Sequence, residues 1–284
     1  MADAYEANAD QLASWGGTAG RHWTERQEHM DIQLAPVSAA LFGAIEIRPN
    51  MRVIDIGCGC GDTTLELARR VGAGGHALGL DISAPMLARA RERTPPGAPV
   101  DFVEGDATVH RFPPADADLL FSRFGVMFFA DPALSFGNIR KGMRQGGRVA
   151  FACWREREIN PSLWVAAQEA YKVVPPPPVL PPDAPGPFAF AGEGRVHAVL
   201  GKAGFANIAM RPVDLELDVA AGRGLEEAVR GALEIGPASR AADGQPDEIR
   251  KAIAARIRAA YAPHAKGNSV KLPAAIWIVT ATNP

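Results

Sequence analysis

The stretch VIDIGCGCGDTTL at residues 53–65 decides the fold. An apolar run carries one carboxylate, Asp55, then passes into three alternate glycines, and a helical pattern follows. Glycine lets a backbone turn tightly and approach a ligand closely. Dinucleotide-binding loops read G-x-G-x-x-G, and this chain has Asp62 at the third glycine position. The stretch therefore predicts a strand, a ligand-binding turn and a helix, with a loop that differs from the dinucleotide loop.

Short apolar runs alternate with helical stretches after this turn. The predicted strands are Val53–Ile56, Ala77–Leu80, Val100–Val103, Leu119–Ser122 and Arg148–Trp154. The predicted helices between them are Thr64–Val71, Pro85–Arg93 and Pro132–Met143. Such alternation predicts a Rossmann-like α/β fold with a mostly parallel sheet, because nearly all-apolar strands are typical of a sheet that is covered on both faces.

Length and composition narrow the class of protein. A chain of 284 residues, 47% of them apolar, fits one α/β domain with a cap appended or inserted. We expect an N-terminal helical segment over residues 1–50 and a domain over residues 51–284. Within that domain, we expect a motif core at residues 51–154 and cap insertions at about 155–193 and 222–270.

Charge and residue types exclude several partners. The net charge is −2 and the sequence has no basic stripe, so we expect no nucleic-acid partner. No apolar run reaches the ~18 residues that span a membrane, and no signal region begins the chain, so we expect no membrane partner and a cytoplasmic location. The three cysteines form no C-x-x-C pair, and we expect no metal site. A homodimer is compatible with the sequence.

Three acidic residues follow three successive strands. Asp55 lies beside the glycine turn, Asp81 ends the second run and Asp106 follows the third. A carboxylate at Asp55 suits the cationic amino-acid end of a ligand and would repel the phosphates that a dinucleotide loop attracts. Asp81 suits a ribose diol, and Asp106 can accept from the exocyclic amine of adenine. Because the carboxyl ends of parallel strands meet at one crevice, we expect one ligand site.

The motif series in this region resembles that of class I S-adenosylmethionine (SAM) dependent methyltransferases, with DIGCGCG at 55–61, LDIS at 80–83 and EGDA at 104–107. The stretch FSRFGVMFFADP at 121–132, followed by RQGGRV at 144–149, is similar to the type 11 branch. That branch includes ubiquinone and menaquinone C-methyltransferases and natural-product enzymes. The resemblance covers residues 51–154 and implies SAM as cofactor. It also implies a seven-stranded sheet in the order 3-2-1-4-5-7-6 with the last strand antiparallel.

The resemblance further implies which residues hold the cofactor. They are Asp55, Gly57, Cys58 and Gly59 at the methionine moiety, Asp81 at the ribose, Ile82, Asp106 and Ala107 at the adenine, and Ser122 under the methionine end. Cys60 stands where the family usually has Thr or Ser, and a thiol forms weaker hydrogen bonds than a hydroxyl. We therefore expect no polar role for the Cys60 side chain.

Candidates for catalysis are fewer, because methyl transfer from an activated sulfonium needs mainly positioning and exclusion of water. His22 is a candidate general base, since Trp15, His22 and His29 are spaced by seven and would share one helix face over the pocket. Arg123 is a candidate contact to a substrate carboxylate or phosphate. An exposed or interfacial histidine and a supporting arginine are the alternatives.

The N-terminal segment Ala7–Leu41 is predicted to fold over the cofactor and acceptor as a lid. Its apolar side chains, such as Trp15, need burial, and Gly16-Gly17 would form a joint before a helix that begins near Thr18. A lid would shield the sulfonium from water. The alternative is a helix that packs on the back of the sheet and only stabilises it.

These observations favour transfer of a methyl group from SAM to a small organic acceptor, giving S-adenosylhomocysteine. The sequence SRFG at 122–125 stands where enzymes that methylate amino groups of nucleic acids have a D-P-P-Y-like motif, which argues against bases as acceptors. Methylation of a protein or RNA side group is one alternative, and a regulatory protein that binds SAM without catalysis is another. A nicotinamide oxidoreductase is opposed by Asp55 and Asp62.

Overall fold

The sheet begins at residue 52 and ends close to the last residue of the chain. The computed structural model describes residues 8–181 and 183–284, so Ala7 of the predicted lid lies outside the described residues. The strands within these ranges are β1 (Arg52–Ile56), β2 (His76–Asp81), β3 (Val100–Glu104), β4 (Ala117–Arg123), β5 (Met143–Trp154), β6 (Ala206–Asp218), β7 (Ala265–Lys266) and β8 (Ser269–Thr282).

The topology of the sheet agrees with the predicted order. The strands lie in the order β3-β2-β1-β4-β5-β8-β6, with β7 paired to β8 off this path. β1 to β5 are mutually parallel, and β8 runs antiparallel to both β5 and β6. Because the two-residue β7 precedes it, the predicted seventh strand is β8 here, and the predicted order 3-2-1-4-5-7-6 is confirmed.

Helices precede, connect and follow the strands. They are α1 (Ala9–Gly16), α2 (Thr18–Glu25), α3 (Gln27–Phe42), α4 (Asp62–Val71), α5 (Ala84–Glu92), α6 (Pro132–Lys141), α7 (Pro161–Ala170), α8 (Glu193–Lys202), α9 (Leu225–Glu234), α10 (Pro237–Ala242) and α11 (Asp247–Tyr261). Short 3-10 turns lie at Gly125–Phe128, Arg157–Ile159 and Ala262–His264. Among the helices of the described ranges, none has the length and apolar composition needed to cross a membrane.

Four of these helices form a cap with a hydrophobic cluster of its own. The cap is α7 together with α9, α10 and α11, and its cluster includes Ala170, Val229, Ile253, Ile257 and Tyr261. α7 lies in the first predicted insertion and the other three lie in the second, so the two insertions pack together as one helical unit. A proline-rich connection follows α7, and Val179 within it is 96% exposed.

The described part of the N-terminal segment, from residue 8 onward, forms three helices because the chain breaks at Gly17 and at Arg26. The predicted joint at Gly16-Gly17 and the helix start at Thr18 agree with the structure. Trp15, His22 and His29 do not share one helix face, so the prediction from their spacing of seven is wrong. A single face requires one continuous helix, and the three residues concerned lie on α1, α2 and α3.

The second half of α3 belongs to the main core of the protein. Leu34, Val37 and Leu41 are buried there, and Phe42 stacks on Phe121 of β4 with ring centroids 4.9 Å apart. This half of α3 packs on the sheet and stabilises it, which agrees with the alternative to a lid given for the N-terminal segment. Any movable lid is therefore confined to the helices before α3.

Candidate active site at the carboxyl ends of the strands

The glycine turn after β1 packs tightly against the turn after β4. Gly57 has a φ of +67°, and a Cβ atom there would lie 2.5 Å from the Cα of Gly125. Gly59 has a φ of +55°, and its Cβ would lie 2.7 Å from the Cε of Met86 in α5. At Gly57 both the left-handed backbone and the close approach to another backbone require glycine, whereas at Gly59 the left-handed backbone favours it. The turn is therefore a narrow cradle built from backbone.

Asp55 is fully buried beside this cradle. Its Oδ2 accepts hydrogen bonds from the hydroxyls of Thr63 and Thr64, both at 2.7 Å. Its Oδ1 is buried and has no hydrogen-bond partner among the described residues. Removal from water raises the pKa of the Asp55 carboxyl to about 6. A cationic group placed at Oδ1 would pair with the carboxylate and favour its ionised form.

Asp81 ties the glycine turn to the start of α5. Its Oδ2 accepts from the backbone N–H of Gly59 and its Oδ1 accepts from that of Ser83, each at 2.8 Å. Removal from water raises the pKa of the Asp81 carboxyl. A carboxylate oxygen can accept more than one hydrogen bond, so Asp81 retains capacity for the hydroxyls of a ribose. The neighbouring Ile82 is half-buried.

Asp106 contacts a residue from the start of the described chain. Its Oδ1 accepts from the backbone N–H of Thr108 at 2.8 Å, and its Oδ2 accepts from Nδ2 of Asn8 at 2.9 Å. The side chain of Asn138 donates to the carbonyl of the buried Ala107 at 2.9 Å. Sequence reasoning missed Asn8, because no pattern links it to a residue 98 positions away.

Two predicted site residues, Ser122 and Cys58, have no free polar group. The Ser122 hydroxyl donates to the carbonyl of Ile56 at 2.7 Å and accepts from the N–H of Gly125 at 3.1 Å. It thereby fastens the turn after β4 to the end of β1. Burial raises the pKa of the Cys58 thiol well above its usual range, so the thiol stays protonated. Both residues shape the site through packing.

Arg123 is engaged by the protein itself. Its Nη1 donates to Oδ2 of Asp62 in α4 and to Oγ of Ser38 in α3, each at 2.7 Å. The Arg123 side chain is only 11% exposed. This pairing braces α3 against the start of α4. An acidic substrate would have to compete with Asp62 for the guanidinium.

His22 lies where α2 meets the cap. Its Nδ1 is 3.0 Å from the carbonyl oxygen of Glu234. A carbonyl oxygen only accepts, so the neutral ring carries its proton on Nδ1 and has its lone pair on Nε2. His29 differs, because both of its ring nitrogens have partners, Arg26 and the Val219 carbonyl. Burial lowers the pKa of His29.

α1 and α2 contact the loop after β2, and these two helices are called the lid below. The Ser83 hydroxyl donates to the carbonyl of Trp15 at 2.7 Å. A Cβ atom on Gly20 would lie 2.0 Å from that carbonyl oxygen and 2.5 Å from the Ser83 Oγ. The lid therefore sits directly on the loop after β2, and Gly20 permits the close fit.

Aromatic rings lie beyond the ends of β4 and β5. Phe124 stacks on Trp154 with ring centroids 4.2 Å apart, and Phe128 meets Trp15 of the lid edge to face at 5.3 Å. Phe124 holds a φ of +70°, a strained conformation for a residue with a large side chain. Such strain often lies at functional sites. No sequence pattern predicted it.

Residues 53–147 match the protein family described as "Methyltransferase domain". This stretch of the chain is a methyltransferase domain. The nocamycin O-methyltransferase of Saccharothrix syringae is 28% identical over 64% of this chain and 69% of its own length. The demethylmenaquinone methyltransferase of Thermus thermophilus is 36% identical over 49% of this chain and 56% of its own length. The chain therefore spans between half and about two thirds of these relatives.

A solved methyltransferase structure shares the fold of this chain. The phosphoethanolamine N-methyltransferase 2 of Haemonchus contortus, in complex with SAM, superposes with a TM-score of 0.52 at 17% identity. The superposition covers 88% of this chain and 52% of that chain.

The residues of the site fit SAM, the cofactor of this family. Asp55 offers a buried acceptor without a partner among the described residues, which suits the ammonium of a methionine moiety. The cradle at Gly57 and Gly59 admits a ligand close to the backbone. Asp81 and Asp106 place further carboxylate oxygens at the next two strands. Among the described residues, no group of His, Cys, Asp or Glu is arranged to hold a metal ion.

Proposed function

We propose that this methyltransferase acts on a small organic acceptor. The observation that carries the proposal is the aromatic contact between the lid and the turn after β4, where Trp15 meets Phe128, while Phe124 at the start of the same turn stacks on Trp154. A site roofed by helices and lined by aromatic rings suits a small, partly apolar molecule better than a folded protein or RNA. The names of the two relatives, nocamycin and demethylmenaquinone methyltransferases, support the same class of acceptor.

Binding of the cofactor is assigned to the residues at the strand ends. Asp55 would pair with the ammonium of the methionine moiety, Asp81 would accept from the ribose hydroxyls, and Asp106 would accept from the adenine amine. The remaining predicted residues would shape the walls of the site, and these are Gly57, Cys58, Gly59, Ile82, Ala107 and Ser122.

SAM, when bound, supplies a methyl group on a sulfonium that is already activated for displacement. The chain then has to orient the acceptor and exclude water, and good positioning can lower a barrier by ~7–11 kcal/mol. The lid would exclude water through its hydrogen bond with Ser83 and its contact with Phe128.

An acceptor that carries a proton would also need a base. His22 is the proposed base, because the Glu234 carbonyl holds it in the tautomer with a free Nε2. Arg123 is proposed to steer an anionic acceptor while it braces α3.

Incubation with methyl-labelled SAM and a metabolite extract tests the proposal. We expect the label in a low-mass product, together with S-adenosylhomocysteine. Label in a protein or RNA fraction would assign the acceptor to that class instead. Binding of SAM without any transfer of label would favour a regulatory protein.

A further inference from the structure

Asn8 stands at the N-terminus of α1, and its side chain does not cap its own helix. Asparagine at this position usually accepts a hydrogen bond from the first turn of the helix. Here the carboxamide turns away and donates from Nδ2 to Oδ2 of Asp106 at 2.9 Å. Asn8 is 4% exposed and Asp106 is 5% exposed. The orientation of the carboxamide is therefore set by the site and not by the helix.

The other end of the same carboxamide has no hydrogen-bond partner among residues 8–181 and 183–284. Oδ1 of Asn8 is buried and accepts no hydrogen bond from the described residues. A buried carbonyl oxygen without a donor is costly. Its position beside the carboxylate assigned to the adenine amine indicates that a ligand supplies the donor.

We propose that Asn8 is an adenine-binding residue that reads the exocyclic amine together with Asp106. The inference rests on the proposed function, since it deepens the assignment of Asp106. An aromatic amine has two N–H donors. Asp106 would accept one of them, and Oδ1 of Asn8 would accept the other.

The hydrogen bond between the two side chains makes this pair selective. A free carboxamide can flip and present its NH₂ group instead of its oxygen. Flipping Asn8 would place Oδ1 against the carboxylate of Asp106, so the Nδ2 contact fixes Oδ1 toward the ligand. A base with an oxo group in place of the amine would then face two acceptors and no donor. Asn8 therefore contributes to the choice of adenine over hypoxanthine.

Calorimetry with S-adenosylhomocysteine and S-inosylhomocysteine tests this role without an acceptor. The two compounds differ at the amine, which is replaced by an oxo group in the inosyl compound. Wild-type protein should prefer the adenosyl compound strongly. Asn8→Ala should weaken binding of the adenosyl compound about tenfold and reduce the preference by a similar factor. Asn8→Gly, which suits a helix N-terminus, should behave like Asn8→Ala and guards against an effect on α1 alone.

Ser38→Ala is the matched control, because it removes another polar contact between the N-terminal helices and the strand-end loops, the one to Arg123. It should leave the preference unchanged. Equal weakening of both compounds in the Asn8 variants would overturn the proposal and leave Asn8 as a seat for the lid. Tighter binding in those variants would also overturn it, because Asn8 would then compete with the base. If the wild-type protein bound neither compound, the proposed function itself would fail.

Discussion

The proposed site has two halves, and they are built in different ways. The cofactor half, defined as the loops after β1, β2 and β3, takes its carboxylates from Asp55, Asp81 and Asp106 at strand ends. The acceptor half, defined as the lid, the turn after β4 and the cap, brings together segments that are far apart in the chain. Trp15 meets Phe128 across it. The sheet fixes the first half, whereas the second depends on how separate helices pack.

A buried ion cluster holds the lid end of α3 to the cap. Arg26 donates from Nη2 to Glu227 and from Nη1 to Glu234 of α9, each at 2.6 Å, and is 9% exposed. His29 accepts from the same guanidinium at 3.2 Å. A buried charge of this kind is stable only while its partners are present. The acceptor half therefore rests on a few polar contacts as well as on apolar packing.

Deletion of residues 1–17 should have the largest effect, and it should affect the acceptor half far more than the cofactor half. It removes α1 with Trp15 and leaves the core half of α3 in place. We expect turnover to fall ~100-fold or more, because the acceptor loses positioning and the site admits water. Calorimetry should still detect cofactor binding, weakened about tenfold by the loss of Asn8. Normal turnover in the truncated protein would contradict the lid. A truncated protein that does not fold would favour a purely structural segment.

Gly57→Ala should damage the cofactor half through the backbone alone. Its Cβ would lie 2.5 Å from the Cα of Gly125, and its φ is +67°. Gly244 is a matched control, because its φ of +66° is nearly the same and nothing lies within 4 Å of its Cβ. Gly244→Ala should cost ~1–2 kcal/mol for the positive φ alone. Gly57→Ala should cost ~3 kcal/mol or more, because the clash adds to that strain. Denaturant unfolding measures both values, and equal losses would show that the turn can relax.

The contrast between the halves also shows how much of the fold and of the site can be predicted from the sequence. The alternation of strands and helices, the glycine turn and the strand-end carboxylates could be predicted because each depends on local pattern. The strand order came from the resemblance to a known family. Asn8 could not, since its partner is 98 positions away and is met only after the lid packs. The expected common face of Trp15, His22 and His29 was wrong because it assumed one helix. Gly17 is a visible break, but nothing about Arg26 marks a second one.

Arg26→Ala should weaken the joint between the lid and the cap. Glu227 would lose its buried partner and keep the exposed Arg230, and removing one partner of a buried ion pair destabilises a protein by ~3–5 kcal/mol. Glu234 is 36% exposed and water can screen it, so we expect a loss of about 2–3 kcal/mol in the free energy of unfolding. Arg230→Ala is the matched control, because Arg230 pairs with the same Glu227 but is 65% exposed. That pair should contribute ~1 kcal/mol or less. Similar losses in both variants would show that burial of Arg26 has no special weight.

The smallest expected effect is that the affinity for the cofactor depends on pH. This dependence arises from the cofactor half alone. Burial raises the pKa of the Asp55 carboxyl from 3.8 to about 6. The folded state thus binds this proton more tightly than the unfolded chain does. Protonation of Asp55 therefore adds to the free energy of unfolding below pH 3.8, and this contribution is lost as the pH rises through about 6.

Binding of SAM should depend on pH with the opposite sign. The ammonium of SAM would pair with the ionised carboxylate of Asp55, so affinity should rise as the pH passes through about 6 and then level off. We expect affinity at pH 5 to be about tenfold weaker than at pH 7.5, since one pH unit below a pKa leaves roughly a tenth of the group ionised. Asp55→Asn should remain weak at both values and show no such rise. Asp101→Asn, which alters an exposed surface pair with His76, should keep the wild-type profile. A flat profile in the wild-type protein would mean that Asp55 holds the glycine turn through Thr63 and Thr64 without meeting the ammonium.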